Sequence, residues 1–248
     1  MKVSRKIEYI KKWILKYCKT MPKPASTLIV GVSGGIDSSV VSTICAMTGK
    51  KTFAVSMPIK QIKQQHDFSV MHQKWLKSKF RNVYTPVVNL DNVFKNFKKT
   101  LNKFNSMHGL ANSRSRLRMA TLYQIAQSNN GLVVGTGNKV EDFGVGFYTK
   151  YGDGGVDIAP IADCTKNEVW EMGKELGILE DIINAIPTDG LWDDGRTDEN
   201  QMGLSYLEIE EAMKNKKSKF FKKYNKIRNQ NLHKMTPIPV CKIKKNVK

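Results

Sequence analysis

Ser33-Gly34-Gly35-Ile36-Asp37-Ser38-Ser39 is the stretch of this chain whose residue types and order most clearly imply chemistry. Two glycines let the backbone turn tightly and approach a ligand. The hydroxyls of Ser33, Ser38 and Ser39 and several N–H groups can then surround one anion, over the positive end of a following helix. No Gly-Lys-Ser/Thr closes the loop, so it is not a Walker cradle. Asp37 inside it would repel a phosphate unless a cation lay between them, which implies magnesium. Three further clusters could complete such a site. Gly135-Thr136-Gly137-Asn138-Lys139-Val140-Glu141-Asp142 offers Thr136 as a hydrogen-bonding group and either Glu141 or Asp142 as a second metal carboxylate beside Asp37. Phe147 to Asp157 crowds Lys150, aromatic rings, Asp153 and Asp157 around glycines, a composition suited to gripping a flat ring and a sugar. Asn112-Ser113-Arg114-Ser115-Arg116-Leu117-Arg118-Met119 puts arginines at every second position, a spacing that spreads them around a helix, so that at most one or two face one ligand.

The elements that must carry these groups alternate. An amphipathic helix is predicted over 6–17, a buried strand over 27–32 running into the cradle, and a helix from Val40. A second strand follows over 52–57, ended by Pro58, with a helix over 67–80. A third strand over 83–88 contains Pro86 and so reads as an edge. A helix over 91–104 has Asp91 as its expected cap. Beyond it come a helix over 114–128 that starts at the arginines and a short strand over 131–135. Such alternation gives right-handed crossovers and an α/β fold, a doubly wound parallel sheet flanked by helices, with ligands beyond the carboxyl ends of the strands. The stretch 136–163 reads as loop, 165–176 as helix and 187–200 as a mobile loop. Helices are expected over 204–214 and 219–229.

At 248 residues and 40% hydrophobic, the chain can bury one full core, and a single domain over 1–248 is expected. No apolar run is long enough to span a membrane and the N-terminus lacks a signal-peptide core, so a cytoplasmic protein is expected. Cys18, Cys45, Cys164 and Cys241 are scattered, which suggests neither a zinc site nor a disulfide framework. The formal charge of +19 raises the question of nucleic acid, but lysine greatly outnumbers arginine and is spread along the chain. A solvated surface that also steers small polyanions is the favoured reading, with nucleic-acid binding the minority one.

The cradle's Ser-Gly-Gly-x-Asp-Ser order resembles the loop of the ATP pyrophosphatases, which cleave ATP between its α- and β-phosphates. Three later runs resemble elements of NAD synthetases: the Asn112 to Met119 run, Gly-Thr-Gly-Asn-Lys-x-Glu at Gly135 to Glu141, and Lys-Tyr-Gly-Asp-Gly-x-x-Asp at Lys150 to Asp157. With them the likeness extends from about Lys6 to Pro237. It implies ATP as co-substrate, magnesium on Asp37 and Glu141, and ATP contacts from Ser33, Gly34, Gly35, Asp37, Ser38, Ser39, Thr136, Lys166 and Thr188. It implies that Asn112, Arg116, Lys150, Asp153, Asp157, His233 and Lys234 meet deamido-NAD, with Asp153 also serving ammonia. Catalysis is then expected of Asp37, Lys166 and Asp153. The run Gly190 to Glu199 resembles the family's flexible lid.

The same resemblance implies a homodimer, and the absence of room for an amidase domain makes free ammonia the expected nitrogen source. Two departures stand out. The Glu141 to Gly146 run is one residue longer than in some members, which leaves the choice between Glu141 and Asp142 open. Pro58 to Asp67, and Ser56 before it, do not match the bacterial pattern, so adenine contacts there are not carried over. Rival readings are a tRNA-modifying ATP pyrophosphatase, a GMP synthetase, and a non-catalytic nucleotide- or RNA-binding protein.

Overall fold

The computed structural model describes residues 1–192 and 194–243; Asp193, within the predicted lid, lies outside the described residues. Four parallel strands, β1 (Thr27–Gly31), β2 (Lys51–Val55), β3 (Val83–Tyr84) and β4 (Gly131–Val133), lie in the order β3-β2-β1-β4. The register pairs Ile29 of β1 with Phe53 of β2 on one side and Val133 of β4 on the other. The sheet continues past these strands as parallel bridges, Ser56 with Val87 and Val134 with Ile158.

Period-two alternation along β1 explains the layering. Leu28 and Val30 face α1 (Val3–Thr20), α2 (Ile36–Met47) and α6 (Lys166–Glu175), while Ile29 faces α4 (Asp91–Thr100) and α5 (Met107–Ser128). Helix α1 buries Ile7, Ile10, Ile14 and Cys18, one stripe at helical spacing. Each of the isoleucines contributes roughly 1.5–3 kcal/mol of apolar burial. Helix α3 (Lys63–Lys79) places Leu76 in a small cluster with Val32, Ala54 and Val83. A satellite core beyond the sheet joins a seven-residue π-helical turn over Lys139–Val145 to α9 (Tyr206–Lys214) and α10 (Phe221–Met235) through Val140, Val145, Ile209 and Tyr224. The short helices α7 (Glu180–Ile183) and α8 (Asp198–Met202) lie between α6 and α9.

Several sequence expectations change. Helix α5 begins at Met107, so the arginines lie in its interior instead of at its start, and Ser106 caps it by accepting from Gly109 N–H. Asp91 does not cap α4: Leu90 holds the cap position without a side-chain bond, and Asp91 instead accepts from Lys60 N–H at 2.6 Å. The third strand shrinks to two residues, because Pro86 cannot donate to the ladder. The stretch taken as loop holds the π-helical turn, which a 3.6-residue apolar period does not reveal. Helix α10 runs on to Met235, so that His233 and Lys234 sit in its last turn.

Candidate active site

The cradle leaves the carboxyl end of β1. Gly34 has φ +95°, and a Cβ there would lie 2.5 Å from the Gln65 carbonyl oxygen and 2.9 Å from Ser69 N, so only glycine fits. The serines brace the turn. Ser33 N–H donates to Ser38 Oγ at 3.2 Å, while Ser38 and Ser39 hydroxyls donate to the Gly35 carbonyl at 2.9 and 3.0 Å. Gly35 caps α2 without a side-chain bond, so the positive end of that helix faces the cradle. The hydroxyls of Ser38 and Ser39 therefore hold the loop's shape, and the backbone amides are the groups suited to an anion.

Beside the cradle, Lys166 is buried at 2% exposure and its ammonium lies 2.6 Å from Asp37 Oδ2 and 2.9 Å from Glu141 Oε1. Lys166 comes from the first turn of α6, where Thr165 and Glu168 form a capping box. Glu141 comes from the π-helical turn, which Asn138 caps by accepting from Val140 and Glu141 N–H groups while its amide donates to Asp37 Oδ1 at 3.0 Å. Tyr206 donates its phenol proton to Glu141 Oε1 at 2.6 Å. Burial raises Asp37, and the Lys166 charge only partly offsets it. For Glu141, burial is outweighed by Lys166 and the Tyr206 bond, which hold it below the usual range. Asp37 and Glu141 offer hard carboxylate oxygens of the kind that would suit a magnesium ion. Among the described residues no group of three or more His, Cys, Asp or Glu suited to a metal ion gathers. Lys166 is the cation that now joins the two carboxylates.

The π-helical turn sends its two acids to different places. Successive residues point in different directions, so Glu141 faces Lys166, whereas Asp142 lines a cavity of about 130 Å³ together with Asp153, Tyr148 and Lys234. Asp142 lies so close to Gly137 that a Cβ there would be 1.8 Å from Asp142 Oδ2. Its pKa is raised well above normal by burial and by Asp153, Glu141 and Asp37. The π geometry accommodates one residue more than an α-turn. Arg228 and Asn231 of α10 hold the end of the turn by donating to the Gly144 carbonyl at 2.7 Å and the Val145 carbonyl at 3.0 Å.

Asp153 accepts from Ser115 Oγ at 2.6 Å and Thr149 N–H at 3.0 Å through Oδ1. Desolvation of the carboxylate, which the hydrogen bonds only partly offset, raises its pKa. Asn112 accepts from Thr149 Oγ1 at 2.6 Å, and Arg116 is exposed with its guanidinium 3.4 Å from the Lys150 carbonyl. Lys150 donates to the His233 carbonyl at 3.2 Å, and Lys234 donates to the Tyr148 carbonyl at 2.8 Å, which brings the end of α10 to the cavity. The His233 residue itself is exposed. Asp157 stands apart. Its oxygens accept from Tyr123 OH at 3.1 Å and Val133 N–H at 2.8 Å, which fastens the loop to β4. Thr188 accepts from Gln65 of α3, and Thr136 follows Gly135 just beyond β4. Arg114, not singled out from sequence, is buried with its guanidinium 5.1 Å from the Phe94 ring and 3.0 Å from the Leu191 carbonyl. Sequence reasoning also missed Asn138, Ser115, Tyr206 and Asp198. Asn138, Ser115 and Asp198 stood inside quoted runs without being singled out, while Tyr206 carries no local signal.

A parallel sheet with an amide cradle at the carboxyl end of its first strand, and a lysine bracketed by two carboxylates beside it, defines a nucleotide-handling α/β enzyme. Residues 6–246 match the NAD synthase family model, and the chain belongs to that family. An NH(3)-dependent NAD(+) synthetase of Carboxydothermus hydrogenoformans is 39% identical over 212 residues, covering 84% of each chain. An NMN synthetase structure from Francisella tularensis aligns at TM-score 0.90 and 28% identity over 98% of this chain and all of that one. An NH3-dependent NAD synthetase from Campylobacter jejuni aligns at TM-score 0.79 and 24% identity over 98% of this chain and all of that one.

Proposed function

We propose that the chain converts deamido-NAD to NAD with ATP and ammonia, passing through an acyl-adenylate and releasing pyrophosphate and AMP. One observation carries the reading: the cradle, the Lys166 bridge and the Asp153 cavity converge at one end of the sheet. The nicotinate carboxylate is a poor electrophile because its leaving group would be oxide. Its attack on the α-phosphorus of ATP exchanges that for AMP, a good leaving group, and pyrophosphate departs into the cradle. The Gly34 to Ser39 amides and Lys166 stabilise the negative charge that builds there, with Ser33, Thr136 and Thr188 as further ATP contacts. Asp37 and Glu141 would hold magnesium, which would neutralise phosphate charge.

Asp37 and Glu141 take two of the three N–H donors of Lys166, which leaves the third for a phosphate oxygen, and magnesium held by the same carboxylates would share the negative charge. Ammonium enters beside Asp153, whose raised pKa suits it to take the proton that the nitrogen must lose before attacking the activated carbonyl. Asn112, Arg116, Lys150, His233 and Lys234 would contact the dinucleotide. Asp157 would act by holding the loop that carries Asp153. The protein works as a cytoplasmic homodimer, a single domain, on free ammonia. Among the described residues no helix is long and apolar enough to cross a membrane.

The likeness to the Francisella NMN synthetase favours a second reading, amidation of nicotinate mononucleotide. Purified protein with ATP, magnesium, ammonium and either acid separates the two. Equal amounts of NAD and AMP from deamido-NAD, at the higher kcat/KM and abolished by Asp37→Ala, support the first. A preference for the mononucleotide installs the second, and no amide from either acid refutes both. The tRNA-modifying and RNA-binding readings are not favoured by a family match over nearly the whole chain.

A further inference from the structure

Asp198 is the most buried carboxyl that this reaction leaves without a role. It is 5% exposed, and Oδ1 has no hydrogen-bond partner among the described residues. Such a group is costly to bury unless it serves something. It does not serve α8 as a cap, because Thr197 already does so by accepting from Asn200 N–H at 3.2 Å. Its backbone N–H donates to the Pro187 carbonyl at 3.1 Å, which fixes where the side chain starts.

Oδ2 lies 3.3 Å from the Tyr206 phenol, the same phenol that lies 2.6 Å from Glu141 Oε1. A phenol has one proton, and the shorter contact takes it. Shared between two carboxylates, that proton leaves Asp198 only a weak three-centre contact, and the contact becomes a full hydrogen bond when Asp198 carries a proton and donates to the phenol oxygen. A phenol that accepts one bond while giving another is a better donor and is fixed in rotation. The ring is itself held, edge-on to Trp170 at 5.9 Å and beneath the Lys166 ammonium at 4.9 Å.

We propose that Asp198 is a positioning residue for adenylate formation: as a neutral donor to Tyr206 it fixes the phenol proton on Glu141, and so holds that carboxylate at Lys166. The inference rests on the synthetase reading, in which Glu141 and Lys166 serve the ATP half of the reaction. Asp198 then acts as an uncharged hydrogen-bond donor, not as a ligand of a cation, and an amide can replace it.

The test measures pyrophosphate exchange into ATP and complete amidation, using the full chain with deamido-NAD and MgCl2. Asp198→Asn keeps a donor and is expected to stay within about threefold of the parent. Asp198→Ala is expected to lower kcat for exchange about tenfold, one hydrogen bond's worth, with KM for deamido-NAD unchanged. Tyr206→Phe gives the same loss, and the double variant Asp198→Ala/Tyr206→Phe is no slower than either single one. An Asn variant as slow as the Ala variant, an Ala variant as fast as the parent, or multiplying losses would each overturn the proposal. If circular dichroism shows Asp198→Ala unfolded, Asp198→Asn and Tyr206→Phe still decide it: a slow Asn variant or a fully active Phe variant refutes it. Absence of exchange in the parent protein fails the synthetase reading itself, a result distinct from all of these.

Discussion

Replacing Lys166 by Met tests the centre of the site. The parent side chain is 2% exposed and bridges two carboxylates whose side chains are 17% and 15% exposed. Met keeps much of the volume but removes the only cation recorded as bonded to that pair among the described residues. Breaking a buried ion pair from one side costs about 3–5 kcal/mol, because the abandoned charge stays desolvated. For a chain of this length each kcal/mol moves Tm by roughly 2–4 °C, so a fall of about 10 °C is expected near pH 8. The sign with pH follows from proton counting. Lys166 has a raised pKa, so its contribution is fully present below the ordinary lysine value of 10.5. In the variant both carboxylates rise above their unfolded values, the folded state holds the extra proton, and stability falls as pH rises. The deficit is therefore largest near pH 8 and narrows as the solution is acidified to about pH 5. Urea unfolding of both proteins at the two pH values, with and without MgCl2, measures it, and magnesium should stabilise the variant more than the parent. Pyrophosphate exchange should fall by about a hundredfold or more. A variant as stable as the parent at pH 8, or a deficit that does not change with pH, would refute the picture of a buried carboxylate pair needing its cation.

Further outcomes follow from the same geometry. Burial pushes Asp198 up to about 8, so the folded state binds more protons than the unfolded one between the ordinary aspartate value of 3.8 and that point. Asp198→Asn should then be the more stable protein near pH 8, with the gain shrinking to nothing towards pH 4 in denaturant titrations. Gly34→Ala should cost at least about 2 kcal/mol, from the disfavoured φ and the contact with the Gln65 carbonyl, and should abolish ATP-dependent exchange; a stable, active variant would show that the turn can rearrange. Asp153→Asn should slow amide formation while pyrophosphate exchange survives, and equal loss of both would remove Asp153 from the ammonia step. Gly137→Ala must displace the Asp142 carboxylate, so amidation should fall with Tm little changed if the cavity belongs to the site.

The amino-acid sequence by itself determined the sheet, the cradle and the family. Local rules suffice for these: a short apolar run forms a buried strand, and Gly34 marks the place in the cradle where the chain must turn with positive φ. Contiguous motifs such as Lys150 to Asp157 are legible for the same reason. Tertiary structure alone decided where each acid lies. Glu141 and Asp142 are neighbours in sequence with the same charge, and only the π-helical turn, held by α10 some 85 residues away in the chain, sends one to Lys166 and the other to the Asp153 cavity. Asp157 shows the converse, a motif carboxylate whose oxygens are taken by Tyr123 and the β4 backbone. Tyr206 carries no local signature, since a tyrosine after a helix cap reads as an ordinary residue, and Asp198 stands in the lid-like run only as one of several acids. Their meaning arises when α8 and α9 fold back over Glu141, because hydrogen bonding depends on distance in space, which spacing along a chain does not encode.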